Sequence, residues 1–140
     1  MDILQYLPYG PHFLFVDKIE YADSNKIIGT FQFPENSWYY ESHFPEHPVT
    51  PGVILIECMA QIGLVCFAFY LADIQDKIKF AFTSSDVIFY KPVYPGEKVK
   101  VESRLLYLRL GKIKAEITMF DCNEIIVAKG VFTGMKSTKL

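Results

Sequence analysis

Hydrophobic and polar positions change period twice along this chain. Phe13 to Ile19 and Lys26 to Phe33 read as two short strands, separated by the polar turn Asp23-Ser24-Asn25. Trp38 to Thr50 loses the pattern; Pro45 and Pro48, with Pro51 just beyond, make it a loop. From Pro51 to about Ala72 the chain is apolar almost all round, which predicts a helix buried on most sides. Thr50 is the expected N-cap, with Pro51 at the first helical position, where a missing N–H costs nothing. At 1.5 Å per residue such a helix is ~30 Å long.

Beyond the helix the period falls to two. Lys79 to Tyr90 predicts a strand, and Pro92 to Gly96 punctuates it. Val99, Val101, Ser103 and Leu105 then fall on one face, against Lys98, Lys100, Glu102 and Arg104 on the other. Gly111 turns the chain. Ile113, Ala115, Ile117 and Met119 point in, while Lys112, Lys114, Glu116 and Thr118 point out. Asp121-Cys122-Asn123 makes another turn before a strand from Ile125 to Phe132. A long buried helix followed by antiparallel strands with one wet face predicts an α+β fold, a curved antiparallel sheet wrapped round one central helix. Such a sheet leaves an edge strand to pair with a second subunit.

Composition narrows the picture. At 140 residues the chain is expected to form one domain, 1-140. Its 16% aromatic content is high for so short a chain, so some rings are expected at a ligand site or an interface. A net charge of −2 argues against a nucleic-acid partner. The start Met1-Asp2-Ile3-Leu4 has no secretory pattern, and the three cysteines (Cys58, Cys66, Cys122) have no metal spacing. Free thiols in a reducing, cytoplasmic setting are expected, with no metal and no cofactor. Val53 to Ala72 has the length of a membrane span, but Glu57, Gln61 and Gly63 interrupt it, so no membrane insertion is expected.

The chemistry concentrates between Ser42 and Gln61. Glu57 sits two turns into the helix among Ile54, Leu55, Ile56, Met59 and Ile62. A buried carboxylate must be paired, protonated or turned to a cavity, and the helix offers no Lys or Arg to pair it. Gln61, one turn on, can orient it by a hydrogen bond. Gly52 weakens the first helical turn by ~1 kcal/mol relative to Ala. Either it lets a ligand approach the unpaired first-turn amides, which suit a developing oxyanion, or it only eases the loop into the helix. His12, His43 and His47 lie on loops, where most histidines are surface residues.

The run SHFPEHPVTPGVILIECMAQ, Ser42 to Gln61, closely resembles the signature GHFPxxPVMPGVLxxEAMAQ of the hotdog-fold dehydratases of the FabZ type. Leu7-Pro8 with Phe13-Leu14-Phe15-Val16-Asp17-Lys18 is similar to that family's LPHRYPFLLVDR opening, and Phe89 with Lys91-Pro92-Val93-Tyr94-Pro95-Gly96 to its FxRPVxPGD segment. The resemblance implies a hotdog fold. It implies dehydration of a β-hydroxyacyl thioester on acyl carrier protein to the trans-2-enoyl thioester, with no cofactor. It implies His43 and Glu57 as the catalytic pair. Gly52 would bind the thioester carbonyl through its N–H, and Val53 and Gln61 would flank the substrate. It also implies a homodimer or trimer of dimers, with His43 and Glu57 supplied by different subunits.

Departures accompany the match. Ser42 and Thr50 replace glycine and methionine, Tyr9-Gly10-Pro11-His12 replaces HRYP, and Asp86, Ile88 and Tyr90 fall where relatives often carry basic side chains. The last three point to a dedicated carrier, as in polyene or pigment synthesis. His43 is assigned as the base and Glu57 as the acid, a burial-raised pKa suiting the latter. Phe44, Phe67, Phe69, Phe80, Phe82, Phe89 and Tyr90 cluster round the helix, which predicts an apolar tunnel beside it that reaches His43. A hotdog acyl-thioesterase and a non-catalytic hotdog partner subunit are the competing readings.

Overall fold

The computed structural model describes residues 2–74 and 79–137. Six strands form one antiparallel sheet: β1 Lys18–Ala22, β2 Lys26–Gln32, β3 Lys79–Phe89, β4 Lys98–Arg109, β5 Lys112–Phe120 and β6 Ile126–Ser137. Their order across the sheet is β1-β2-β4-β5-β6-β3. Consecutive strands β4, β5 and β6 pair directly, as the alternation predicts. Leu110 and Gly111 both take positive φ, which suits the tight hairpin turn between β4 and β5. β3 returns beyond β6 to make one edge, and β1 makes the other.

The central helix runs Gly52–Leu71 and is mostly buried against the sheet. It has the length and apolarity of a membrane span, but its surface is taken up by the core. Ile113, Ala115, Ile117 and Met119 from β5 are completely buried, as are Val101 and Ser103 from β4, with Val99 almost so. The middle of the helix, Gln61–Cys66, winds as a π-helix between two α-helical segments. Gly63 lies in that stretch. A Cβ there would collide with the Ile117 side chain, so the missing side chain lets the sheet close on the helix. Ser103 Oγ donates to the Gly63 carbonyl at 2.9 Å, a buried polar contact between sheet and helix.

Three expectations change. The first strand begins at Lys18, not Phe13; residues Pro11–Phe13 form a 3-10 turn. Phe13 O and Phe15 N are engaged by the Gln61 side chain instead of a strand ladder. The helix cap is Pro51, not Thr50. The Thr50 hydroxyl is 2.6 Å from the Tyr40 hydroxyl and its N–H donates to Val93 O, so Thr50 ties the loop down and does not cap the helix. The last strand also continues past Phe132 to Ser137.

Candidate active site

Glu57 is placed by the helix and wired by the N-terminal loop. Gln61 is completely buried and every polar atom of its amide is used. Its Oε1 accepts from Phe15 N at 2.8 Å, which identifies the oxygen, because a backbone N–H can only donate. Its Nε2 donates to Phe13 O at 2.9 Å and to Glu57 Oε2 at 2.9 Å. Oε2 of Glu57 is therefore held as an acceptor, and any proton on this carboxyl belongs on Oε1. Burial pushes the Glu57 pKa above the ordinary carboxylate range, and the Gln61 hydrogen bond pulls against that shift. The carboxyl faces a cavity of about 140 Å³ walled by Tyr9, Phe13, Leu64, Val65, Phe80 and Phe82.

His43 is placed by a loop. A 3-10 turn at Trp38–Tyr40 leads into it, and His43 N donates to Tyr39 O at 3.1 Å. Phe44 follows in the left-handed region (φ 66°), an uncommon conformation for a bulky side chain, and its ring lies 4.4 Å from the imidazole. His43 Nδ1 is 2.8 Å from Val49 O. A carbonyl can only accept, so Nδ1 carries hydrogen and Nε2 of the neutral ring keeps its lone pair. His12 and His47 are exposed.

Gly52 opens the helix beside His43, and both line an open groove with Leu55, Phe89 and Tyr90. The first amides of this turn with a backbone acceptor are those of Ile54 and Leu55, both to Pro51 O. The N–H groups of Gly52 and Val53 precede that ladder, at the positive end of the helix. A Cβ on Gly52 would come within 3.1 Å of Phe89 Cζ, so the glycine also seats that ring on the helix end. Val53 is 72% exposed, unusual for a valine at a helix start.

Within one chain His43 and Glu57 line different cavities, one at the helix N-terminus and one further along its length. The expected tunnel therefore does not reach His43 of the same chain. The aromatic cluster divides accordingly: Phe80 and Phe82 wall the Glu57 cavity, Phe89 and Tyr90 the His43 groove. Phe44 is exposed, and Phe67 and Phe69 are core residues with no exposure. Tyr9 was not singled out for a role by the sequence. Its phenol is half-buried in the Glu57 cavity, and burial together with the nearby Glu57 charge raises its pKa, so it remains an O–H donor. Among the described residues no cluster of metal-ligating side chains occurs.

Comparisons with known proteins place this geometry. A family model described as a FabA-like domain matches residues 7–134. A 3-hydroxyacyl-[acyl-carrier-protein] dehydratase FabZ of Herpetosiphon aurantiacus is 36% identical over 132 residues, 92% of this chain and 91% of its own. Among solved structures, the dehydratase heterocomplex ApeI:P from Xenorhabdus doucetiae superposes with a TM-score of 0.83 at 14% identity, covering 99% of this chain and 93% of that one. A hypothetical thioesterase with coenzyme A from Streptococcus pneumoniae reaches 0.66 at 12% identity, covering 86% and 84%. These two share the fold.

Proposed function

The chain belongs to the FabA-like family, and from that membership we propose that it dehydrates a β-hydroxyacyl thioester carried on acyl carrier protein to the trans-2-enoyl thioester. The observation that carries the chemistry is the opposite wiring of two side chains. His43 has its Nδ1–H engaged by Val49 O and its Nε2 free to accept a proton. Glu57 has Oε2 engaged by Gln61, a raised pKa, and Oε1 free to carry one. One group is set up as a base and the other as an acid.

In this reading the amides of Gly52 and Val53 hold the thioester carbonyl and stabilise enolate character as the α-proton leaves. His43 Nε2 takes that proton. Glu57 protonates the β-hydroxyl, which departs as water, and Gln61 keeps the carboxyl in one rotamer. The separation of the two groups within a chain supports a site shared between subunits, with His43 from one and Glu57 from the other. The edge of the sheet at β3 and the exposed Phe44, Val53, Phe89 and Tyr90 supply surface for such a pairing.

The carrier is the finer part of the proposal. Asp86, Ile88 and Tyr90 are exposed and offer no positive charge to an acidic carrier surface. That supports a dedicated carrier, in polyene or pigment synthesis, over the general fatty acid cycle. The fold is shared with thioesterases, so the reaction is decided by product. Mass spectrometry of a β-hydroxyacyl carrier protein after incubation should show the loss of one water with the thioester intact. Free acid and free thiol would identify a thioesterase, and unchanged substrate across several carriers a non-catalytic subunit.

A further inference from the structure

The β4–β5 hairpin turns through two residues, Leu110 and Gly111, at φ 52° and 76°. A two-residue turn with positive φ at both positions favours Asn or Asp before the glycine, because a bulky side chain is strained there. Leucine takes that first place instead, and it is 99% exposed. The turn thus combines backbone strain with apolar surface left in water. The flanking strands add a third destabilising feature. Arg109 and Lys112 are cross-strand partners, and like charges directly opposite repel. Tyr107 pairs with Lys114, and Lys112 with Met135, so these side chains share the outer face of the sheet. The Arg109 guanidinium lies 4.5 Å from the centre of the Tyr107 ring. Lys136 adjoins the turn from β6, its N–H donating to Gly111 O at 2.8 Å. No Asp or Glu occurs between Leu105 and Ala115 or between Ile126 and Ser137. The first acid back along β5, Glu116, is engaged by Lys129 at 3.8 Å. Among the described residues none of Arg109, Lys112, Lys114 and Lys136 has an acidic partner.

We propose that this tip docks on an anionic lipid surface, with Leu110 entering the boundary between headgroups and acyl chains and the four cations meeting lipid phosphates. The attachment is peripheral, and the central helix stays in the core. Charge and layering choose the occupant. An apolar residue at the apex with cations set behind it matches a membrane surface that is negative outside and apolar beneath. Leu106 and Met135, both exposed, lie behind the apex and widen the apolar contact. A second copy of the tip does not fit, because it would set cations against cations. A carrier docked where the thioester is proposed to react leaves the tip free. Thr50 N donates to Val93 O, so the Gly52 end of the helix lies beside the chain that enters β4. The tip lies at the other end of β4, ~35 Å further along the strand at 3.3 Å per residue.

The test is co-sedimentation of the full chain with two kinds of vesicle, phosphatidylcholine alone and phosphatidylcholine with phosphatidylglycerol in equal parts. Binding is expected to the mixed vesicles and should weaken at high salt. Lys112→Gln should lower partitioning ~5-fold, through the loss of one lipid-facing charge. Leu110→Asn should lower it ~10-fold, through the loss of one inserted side chain. The same change puts Asn-Gly in the turn, so the Tm of this variant should equal or exceed that of the wild type, which separates lost docking from lost folding. No binding to the mixed vesicles, equal binding to the neutral ones, or undiminished binding by Leu110→Asn would overturn the proposal. So would a complex with an acidic carrier protein, or self-association seen by light scattering, that Leu110→Asn abolishes while no vesicles are bound. Either result would assign the tip to a protein partner.

Discussion

Glu57 and His43, the two groups of the proposed reaction, stand on opposite kinds of structure. Glu57 stands on a buried helix, and its one orienting partner, Gln61, is itself fixed by two backbone groups of the N-terminal loop. His43 stands on an exposed, proline-bearing loop, followed by a residue of positive φ, and its imidazole is held by one hydrogen bond, to Val49 O. The difference tracks what each group needs. An acid gains from low dielectric, because burial raises its pKa. A base near neutral pH gains from remaining hydrated and accessible until substrate arrives. The rigid member is complete within one chain, and the loop-borne member opens onto surface that a second subunit can cover.

The largest effects separate the two regions by chemistry. His43→Ala and Glu57→Gln should each lower turnover ~10²–10⁴-fold while both proteins stay folded. Turnover near that of the wild type in either, measured as enoyl thioester formed per minute, would remove that residue from the proposed pair.

Stability should separate them next. Gly63→Ala drives a methyl into Ile117 and should cost ~1–3 kcal/mol, read as a fall in denaturation midpoint. Glu46→Ala, on the exposed loop beside His43, should change stability by less than ~0.5 kcal/mol. Equal costs would mean that the loop is as firmly packed as the helix.

The smallest effect sharpens the electrostatic half of the comparison. The folded pKa of Glu57 is raised, so the folded state favours the protonated carboxyl, and stability is lost as pH rises through that value. Glu57→Gln carries no charge and should melt higher than the wild type at neutral pH. The difference should shrink as pH falls and vanish below the ordinary glutamate value of about 4.3, where both side chains are neutral. A variant that melts lower at neutral pH would mean that the carboxylate is stabilised by its site.

The helix was legible because it is apolar almost all round, and the β4–β5 hairpin because one face of each strand is buried and the other is not; proline marks the start of the helix and glycine the hairpin turn. Glu57 and Gln61 were legible for a related reason: polar side chains in an apolar helix must be satisfied, and they satisfy each other. The Phe13–Ile19 stretch misled because apolar aromatic residues favour burial, and here burial comes from packing on the core with backbone groups bound to Gln61. Thr50 misled because its hydroxyl had a nearer partner in Tyr40. The π-helical winding and the cavity beside Glu57 depend on which residues meet from distant parts of the chain. Local pattern carries no trace of that.

The central claim, a site divided between two chains, is tested most directly by mixing. His43→Ala and Glu57→Gln are each inactive in this account, but a mixed dimer holds one site with both groups intact. After equal mixing and confirmed subunit exchange, random pairing should restore about a quarter of wild-type turnover. No recovery above the separate variants would contradict the account and place both groups in one subunit's site.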